Sequence, residues 1–181
     1  MAINNARVVI TLPARASQIE RSLTKNQDSS LFFATDEVFT HLAHRAKRRL
    51  VIATPFIDDT GFKWASSMFE ATQASERIFL CRDFEDIKRI SLDAVAQLKQ
   101  LKVRVYEYRL SYESQIGAPV VETFHAKIVL ADQISSYIGS ANFLRSSFER
   151  SVECGILLEG QEVHKVHDLI ESILSIAISK I

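Results

Sequence analysis

Two cysteines, Cys81 and Cys154, occur in 181 residues, and no Cys-x-x-Cys pair or Cys/His cluster accompanies them. That spacing excludes a disulfide-built scaffold and offers no zinc motif. Each cysteine lies in or beside an apolar run, RIFLC and VECGILL, so both are expected as buried, reduced thiols. There is no excess of either charge: Lys plus Arg and Asp plus Glu are 22 each. Bulk electrostatics therefore favours neither nucleic acid, nor a membrane surface, nor an acidic ligand. Apolar runs of about 18 residues are missing, so no membrane span is expected. The opening MAINNARVVITLPARA has too short an apolar run, and too poor a charged region before it, for a signal peptide. A cytoplasmic protein is the expectation. No internal repeat, low-complexity segment or long linker divides the chain, and hydrophobic residues make up 47% of it. One domain covering residues 1–181, with a substantial core, is expected.

What is present is an alternation of apolar runs and helical patterns. Strands are expected at Arg7–Leu12, Leu50–Thr54, Arg77–Cys81 and Val103–Tyr108, then near Glu122–Ala131, Ser135–Ile138 and Ser151–Glu159. Helical spacing predicts helices near Ser17–Lys25, from Thr35 or Asp36 to about Arg48, over Phe62–Thr72 and Ser91–Leu101, and over Glu162–Ile178. Gln27–Ser30 and Arg109–Pro119 read as loops, and Asp58, Asp59, Thr60 and Gly61 as a turn and cap. Buried runs alternating with helices define an α/β protein layered around a central sheet. The close-set strands after Val120 make part of that sheet antiparallel.

The stretch FHAKIVLADQISSYIGSAN, Phe124 to Asn142, sets a histidine and a lysine inside an apolar run. In a strand, Phe124, Ala126, Ile128 and Leu130 share one face, and His125 and Lys127 share the other. Asp132 follows at the strand end. Ser140 and Asn142 again have period-two spacing after Gly139, and Glu153 comes in the strand SVECGILL. A nucleophile or base, a cation, a hydroxyl, an amide and two carboxylates thus converge from three adjacent segments.

His125-x-Lys127-x4-Asp132, then x6-Gly139-Ser140-x-Asn142 and Glu153, resembles the HKD signature of the phospholipase D superfamily, with matching spacing throughout. The likeness extends less specifically over the rest of the chain, including LVIATPFIDD upstream. Many members have Asn two residues before the glutamate, where this chain has Ser151. The resemblance implies an α/β/α sandwich with a central mixed β-sheet flanked by helices. It also implies a metal-independent phosphodiesterase with no cofactor. His125 would attack phosphorus to give a phosphohistidine. Lys127 and Asn142 would hold non-bridging phosphate oxygens, with Ser140 donating to the same oxygens. Glu153 would orient the imidazole. Asp132, though in the catalytic motif, would organise a loop or pair with a cation. Gly139 would permit close backbone approach.

This chemistry needs a second proton-handling group, which family enzymes take from a second motif. Here His41, His44, His164 and His167 are the other histidines, and none is followed by x-K-x4-D. A C2 homodimer with His125 of both subunits in one active site is expected, the alternative being a heteromeric partner with its own motif. The chain is therefore similar to the small single-motif bacterial members, several of which are nucleases. Nucleic acid is the expected substrate. By analogy with phospholipase D-like proteins of restriction and phage-defence loci, other subunits of such a complex are further expected partners. A phospholipase or phosphatidyl transferase is the alternative enzyme. A nucleic-acid-binding or scaffolding subunit is the non-enzyme alternative.

Three further features admit two readings. The basic cluster HRAKRR, His44–Arg49, fits a solvated helix end better than a phosphate contact. The pairs His41/His44 and His164/His167 have chelating spacing but no third ligand, so no metal site is expected. Tyr106, Tyr108, Arg109 and Tyr112 either line a substrate cleft, with aromatics stacking on bases, or belong to ordinary packing and an exposed loop.

Overall fold

The computed structural model describes residues 5–13, 17–26, 33–111 and 120–181. Its first part holds β1 (Asn5–Thr11), α1 (Gln18–Asn26), β2 (Phe33–Ala34), α2 (Thr35–Arg45) and β3 (Arg49–Thr54). Next come α3 (Asp59–Ala71), β4 (Glu76–Cys81), α4 (Phe84–Ile90), α5 (Ala94–Gln100) and β5 (Val103–Glu107). A short pair, β6 (Arg109–Ser111) and β7 (Val120–Thr123), precedes β8 (Lys127–Ala131) and β9 (Ser135–Gly139). The chain continues through α6 (Arg145–Glu149), β10 (Glu153–Glu159), α7 (Val163–Ile176) and β11 (Ile178–Ser179).

Among the described residues nine strands form one mixed sheet in the order β11-β5-β4-β3-β8-β9-β10-β1-β2. β3, β4 and β5 run parallel, while β3–β8, β8–β9, β9–β10 and β10–β1 are antiparallel. On one face α2, α3, α4 and α5 bury Phe39, Leu42, Phe62, Phe69, Ile87 and Leu98 against the sheet. On the other face α7 lays Val163, Val166 and Ile170 over Val51, Ile78, Leu80, Ile128 and Leu130. β3 is buried on both faces, which is why LVIAT is a continuous apolar run rather than an alternating one. The α/β/α layering expected from the resemblance is what the chain adopts.

Several boundaries differ for identifiable reasons. The strand expected near Glu122–Ala131 is two strands, because β7 pairs with β6 in a separate two-stranded sheet and the chain changes sheets before Lys127. The loop expected at Arg109–Pro119 begins as β6, and the rest of it lies outside the described residues, as does Gln27–Ser30. Ser91–Leu101 is helical only from Ala94, and α4 precedes it, capped by Asp83, whose side chain accepts the Glu85 amide. The final helix stops at Ile176, and Ile178–Ser179 pairs with the edge of β5.

The two cysteines also part company. Cys81 is buried, and desolvation pushes its thiol pKa up. Cys154 is exposed, which corrects the expectation of two buried thiols. Its strand, β10, is covered by helices on one face only. On the other face Val8, Ile156 and Ile138 sit in one cross-strand row and are 44%, 46% and 39% exposed. α7 covers the β3–β4–β8 half of that face and leaves this half open.

Candidate active site

β3 ends where β8 begins, since Ala53 pairs antiparallel with Ile128. That sheet edge gathers the loop after β3, the residues before β8, the end of β9 and the start of β10. Along β8 the expected alternation holds. Phe124, Ile128 and Leu130 pack under α7, with Ala126 against them, while Val129 and Ala131 pack into the opposite core. Lys127 opens β8 and is itself buried, with 6% of its surface exposed. His125 lies just before the strand, exposed at the edge.

Lys127 Nζ is 2.8 Å from His125 Nδ1 and donates to the His125 carbonyl oxygen at 2.7 Å. The same Nζ lies 3.4 Å from the other ring nitrogen, Nε2, so the Lys127 amine sits against the edge of the imidazole. Burial holds the Lys127 ammonium below its ordinary pKa, and the negative charge of Glu153 opposes that shift. The edge of His125 also meets Phe56, with ring centroids 5.7 Å apart and planes at 76°.

Ser140 and Glu153 form a second unit. Ser140 Oγ donates to Glu153 Oε2 at 2.5 Å and accepts the Cys154 amide at 3.1 Å, while the Ser140 amide donates to the Cys154 carbonyl at 3.0 Å. Among the described residues the imidazole's hydrogen-bond partner is Lys127, whereas the Glu153 carboxylate is held by Ser140. Asn142 Oδ1 is buried without a partner, an acceptor whose desolvation is uncompensated among the described groups.

The loop carrying Asn142 is fixed from behind. Asp58 Oδ1 accepts the Gly61 amide as the N-cap of α3, and Asp58 Oδ2 accepts the Arg145 amide at 2.8 Å. The Asp58 amide donates to Phe143 O, and a Cβ on Gly61 would come 1.7 Å from that same oxygen. The cap expected at Asp58 is there, and it also clamps the segment following GSAN.

Gly139 and Asp132 have structural surroundings. A Cβ on Gly139 would fall 2.2 Å from Tyr137 Oη, and one on Gly155, its cross-strand partner, 2.4 Å from the same ring. The close approach at Gly139 is therefore made by Tyr137, not by open space for a ligand. Burial pushes the Tyr137 phenol up to about 12, partly offset by the Ala141 backbone. Asp132 follows the far end of β8 from His125, about 16 Å from Lys127 at the usual strand rise. With φ 53° it turns back so that its carboxylate accepts the amides of Lys47, Arg48 and Arg49. Burial alone would raise its pKa, and those three amides with the Arg48 charge bring it below the ordinary value.

The basic cluster lies at that far end too. Arg45 faces Glu159, Lys47 reaches Gln73, and Arg49 pairs with Glu76 at 2.7 Å and with Glu171. These partners make it part of the scaffold. Tyr108, expected as a candidate cleft residue, is buried, stacked near Phe124, and its hydroxyl donates to Glu122. Its ring belongs to the apolar cluster beneath α7, with Phe124 and Val163. Arg109 pairs with Asp83 at 3.0 Å, and Tyr112 lies outside the described residues. His41 is 3.8 Å from Glu159, and His167 meets Gln133 at 3.0 Å. Among the described residues no three His, Cys, Asp or Glu side chains gather as a metal site. Ser151 precedes β10, with its amide on Ser146 O. Phe56 and Arg82 were not singled out from sequence; only the LVIATPFIDD likeness pointed toward the first.

An imidazole beside a buried cation, with an amide in the loop after β9 and a hydroxyl–carboxylate pair joining the ends of β9 and β10, suits the chemistry of a phosphodiester. The chain belongs to the phospholipase D-like family of phosphodiesterases: the family described as cardiolipin synthase, phospholipase D-like domain, matches residues 39–174. No curated protein matches the sequence. Among solved structures it is similar to Nuc from Salmonella typhimurium, a phospholipase D family member, with TM-score 0.61 and 11% identity over 98% of this chain and 99% of that one. It is also similar to NucT from Helicobacter pylori, with TM-score 0.62 and 14% identity over 99% and 100% of the two chains. Phosphatidylserine synthase from Haemophilus influenzae matches with TM-score 0.62 and 12% identity over 98% of this chain and 40% of that one. At these identities the likeness establishes the fold. Among the described residues no helix is long and apolar enough to cross a membrane.

Proposed function

We propose that the protein is a metal-independent nuclease, cleaving DNA or RNA phosphodiesters at an active site shared by two copies of the chain. The observation that carries the phosphodiesterase reading is the Lys127–His125 pair at the sheet edge. Phosphate oxygens would draw Lys127 Nζ away from the ring, freeing an imidazole lone pair. That nitrogen bonds phosphorus as the P–O bond to the leaving group breaks. The partner's His125, protonated, gives its proton to the leaving oxygen. It then takes a proton from water, whose oxygen attacks phosphorus as the P–N bond breaks, restoring both rings. Lys127 and Asn142 stabilise the charge on the non-bridging oxygens. Glu153 turns to the imidazole once substrate is bound, with Ser140 as its resting partner.

Two arguments support the dimer. A single motif supplies one histidine where two are needed. The open row Val8, Ile156, Ile138 is an apolar sheet face of the kind a second copy covers. Nucleic acid is favoured because Nuc and NucT match over nearly their whole length, so the chain corresponds to them in size. The matched family description and phosphatidylserine synthase favour a lipid phosphodiester as the second reading.

The test is cleavage of labelled single- and double-stranded DNA and RNA in EDTA, wild type beside His125→Ala, with each protein sized in solution. Phosphatidylglycerol and cardiolipin vesicles form a parallel arm. EDTA-resistant nucleic-acid cleavage by a dimer, lost in the variant, is expected. Turnover of lipid alone would replace the nuclease reading with the second one. Equal nucleic-acid binding without turnover in both proteins would make the chain a binding subunit, as in a defence complex.

A further inference from the structure

Arg82 follows β4 at the same sheet edge as His125. Its guanidinium lies over the Phe56 ring, 4.2 Å from the centroid, and that ring also meets the His125 imidazole. The neighbouring carboxylates are committed elsewhere. Asp83 accepts from the Glu85 amide and Arg109, and Glu107 accepts from the Phe84 amide and Lys180. Among the described residues no carboxylate pairs with Arg82. A partly buried guanidinium over an aromatic ring, with no carboxylate partner among the described residues, keeps its donor fork for a ligand, and that fork matches phosphate. The two ring contacts place it no more than about 10 Å from the imidazole, within about three nucleotides along a stacked strand.

We propose that Arg82, held over the Phe56 ring, binds a phosphate of the nucleic-acid strand neighbouring the one that His125 attacks. This rests on the nuclease reading above and names a subsite within it. The subsite makes a strand a better substrate than an isolated phosphodiester. In a shared active site, the two copies of Arg82 take phosphates on both sides of the scissile bond.

The test compares wild type, Arg82→Ala and Arg82→Lys in EDTA on two substrates: bis(p-nitrophenyl) phosphate, which has one phosphate, and a labelled oligonucleotide. Thermal melting checks that each variant folds. For Arg82→Ala the expected loss in kcat/KM is about tenfold or more on the oligonucleotide, mainly through KM, and under about threefold on the single phosphate. Arg82→Lys, charged but not planar, falls between. In a second arm, His125→Ala with and without Arg82→Ala binds the labelled strand across a salt series. The logarithmic salt slope is expected to drop by about 0.7 for each arginine engaged. Equal losses on both substrates, or no loss on either, would overturn the subsite. Wild type inert on both substrates would overturn the nuclease reading instead, and an unchanged salt slope would then overturn the subsite by itself.

Discussion

Lys127 Nζ bridges the His125 ring nitrogen and the His125 carbonyl oxygen, at 2.8 and 2.7 Å, from a position buried at the start of β8. The cation proposed to grip phosphate thus rests against the imidazole proposed to attack it. Holding it there means keeping a charge out of water, and burial accordingly lowers its pKa.

Lys127→Met is therefore expected to abolish turnover while Tm holds or rises, by up to about 3 °C. The folded-state pKa lies below the unfolded one, so between them the unfolded chain binds more protons and stability rises with pH. The burden of the charge is full below the lowered pKa and fades as pH approaches about 10.4. Melts at neutral pH and near pH 10 check this: the variant's advantage should shrink at high pH. A variant melting far below wild type at neutral pH would show that Lys127 is needed for the fold.

Asp132→Ala should cost about 2–4 kcal/mol, since it strips the acceptor from three backbone amides and puts alanine at φ 53°. Asp132→Asn should cost less, because asparagine accepts hydrogen bonds and tolerates that backbone. The folded pKa of Asp132 is depressed, so its contribution is full above the unfolded value of about 3.9 and disappears as pH falls through the folded pKa. Denaturant midpoints at pH 7 and pH 3 measure both effects. At a temperature where the Asn variant stays folded, its kcat should remain within about threefold of wild type. A larger loss would place Asp132 in the chemistry after all.

Asp58→Ala removes a helix cap and the acceptor for the Arg145 amide together. A stability loss of about 1–2 kcal/mol is expected, with kcat falling more than KM rises because the Asn142 loop is loosened. Steady-state kinetics beside a thermal melt separates the two. Full kcat in a destabilised variant would show that the clamp serves the fold alone.

Ile156→Asp, in the centre of the open apolar row, should convert a dimer to a folded monomer and abolish cleavage at the same time. Light scattering and activity on the same samples decide it. An active monomer would rule out the shared site, and an inactive dimer would move the interface elsewhere.

How legible all this was follows from where the determining partner lies. β3 and β4 could be read because burial on both faces leaves an uninterrupted apolar run. The His125–Lys127 unit could be read because period-two spacing and the HKD likeness coincide. The break between Thr123 and Lys127 could not, since it depends on β7 finding β6 across a loop. Nor could the two-residue strands β2 and β11, whose only signal is the neighbour they pair with. Burial of Cys154 is the natural reading of its place beside the apolar run VECGILL, and its exposure follows from where α7 lies. Arg82 resembled any other surface arginine until the sheet brought it over Phe56.

Lys127 and Asp132 stand at opposite ends of β8, one facing the chemistry and the other pinning the turn behind it. The four residues between them in the motif are thus a ruler: they record the span of one sheet from its reactive edge to its rear edge. One residue inserted there would rotate Lys127 onto the α7 face while Asp132 stayed locked to its three amides. The spacing belongs to the gauge of the scaffold, fixing how far a carboxylate that holds three rear amides stands from the lysine that meets His125.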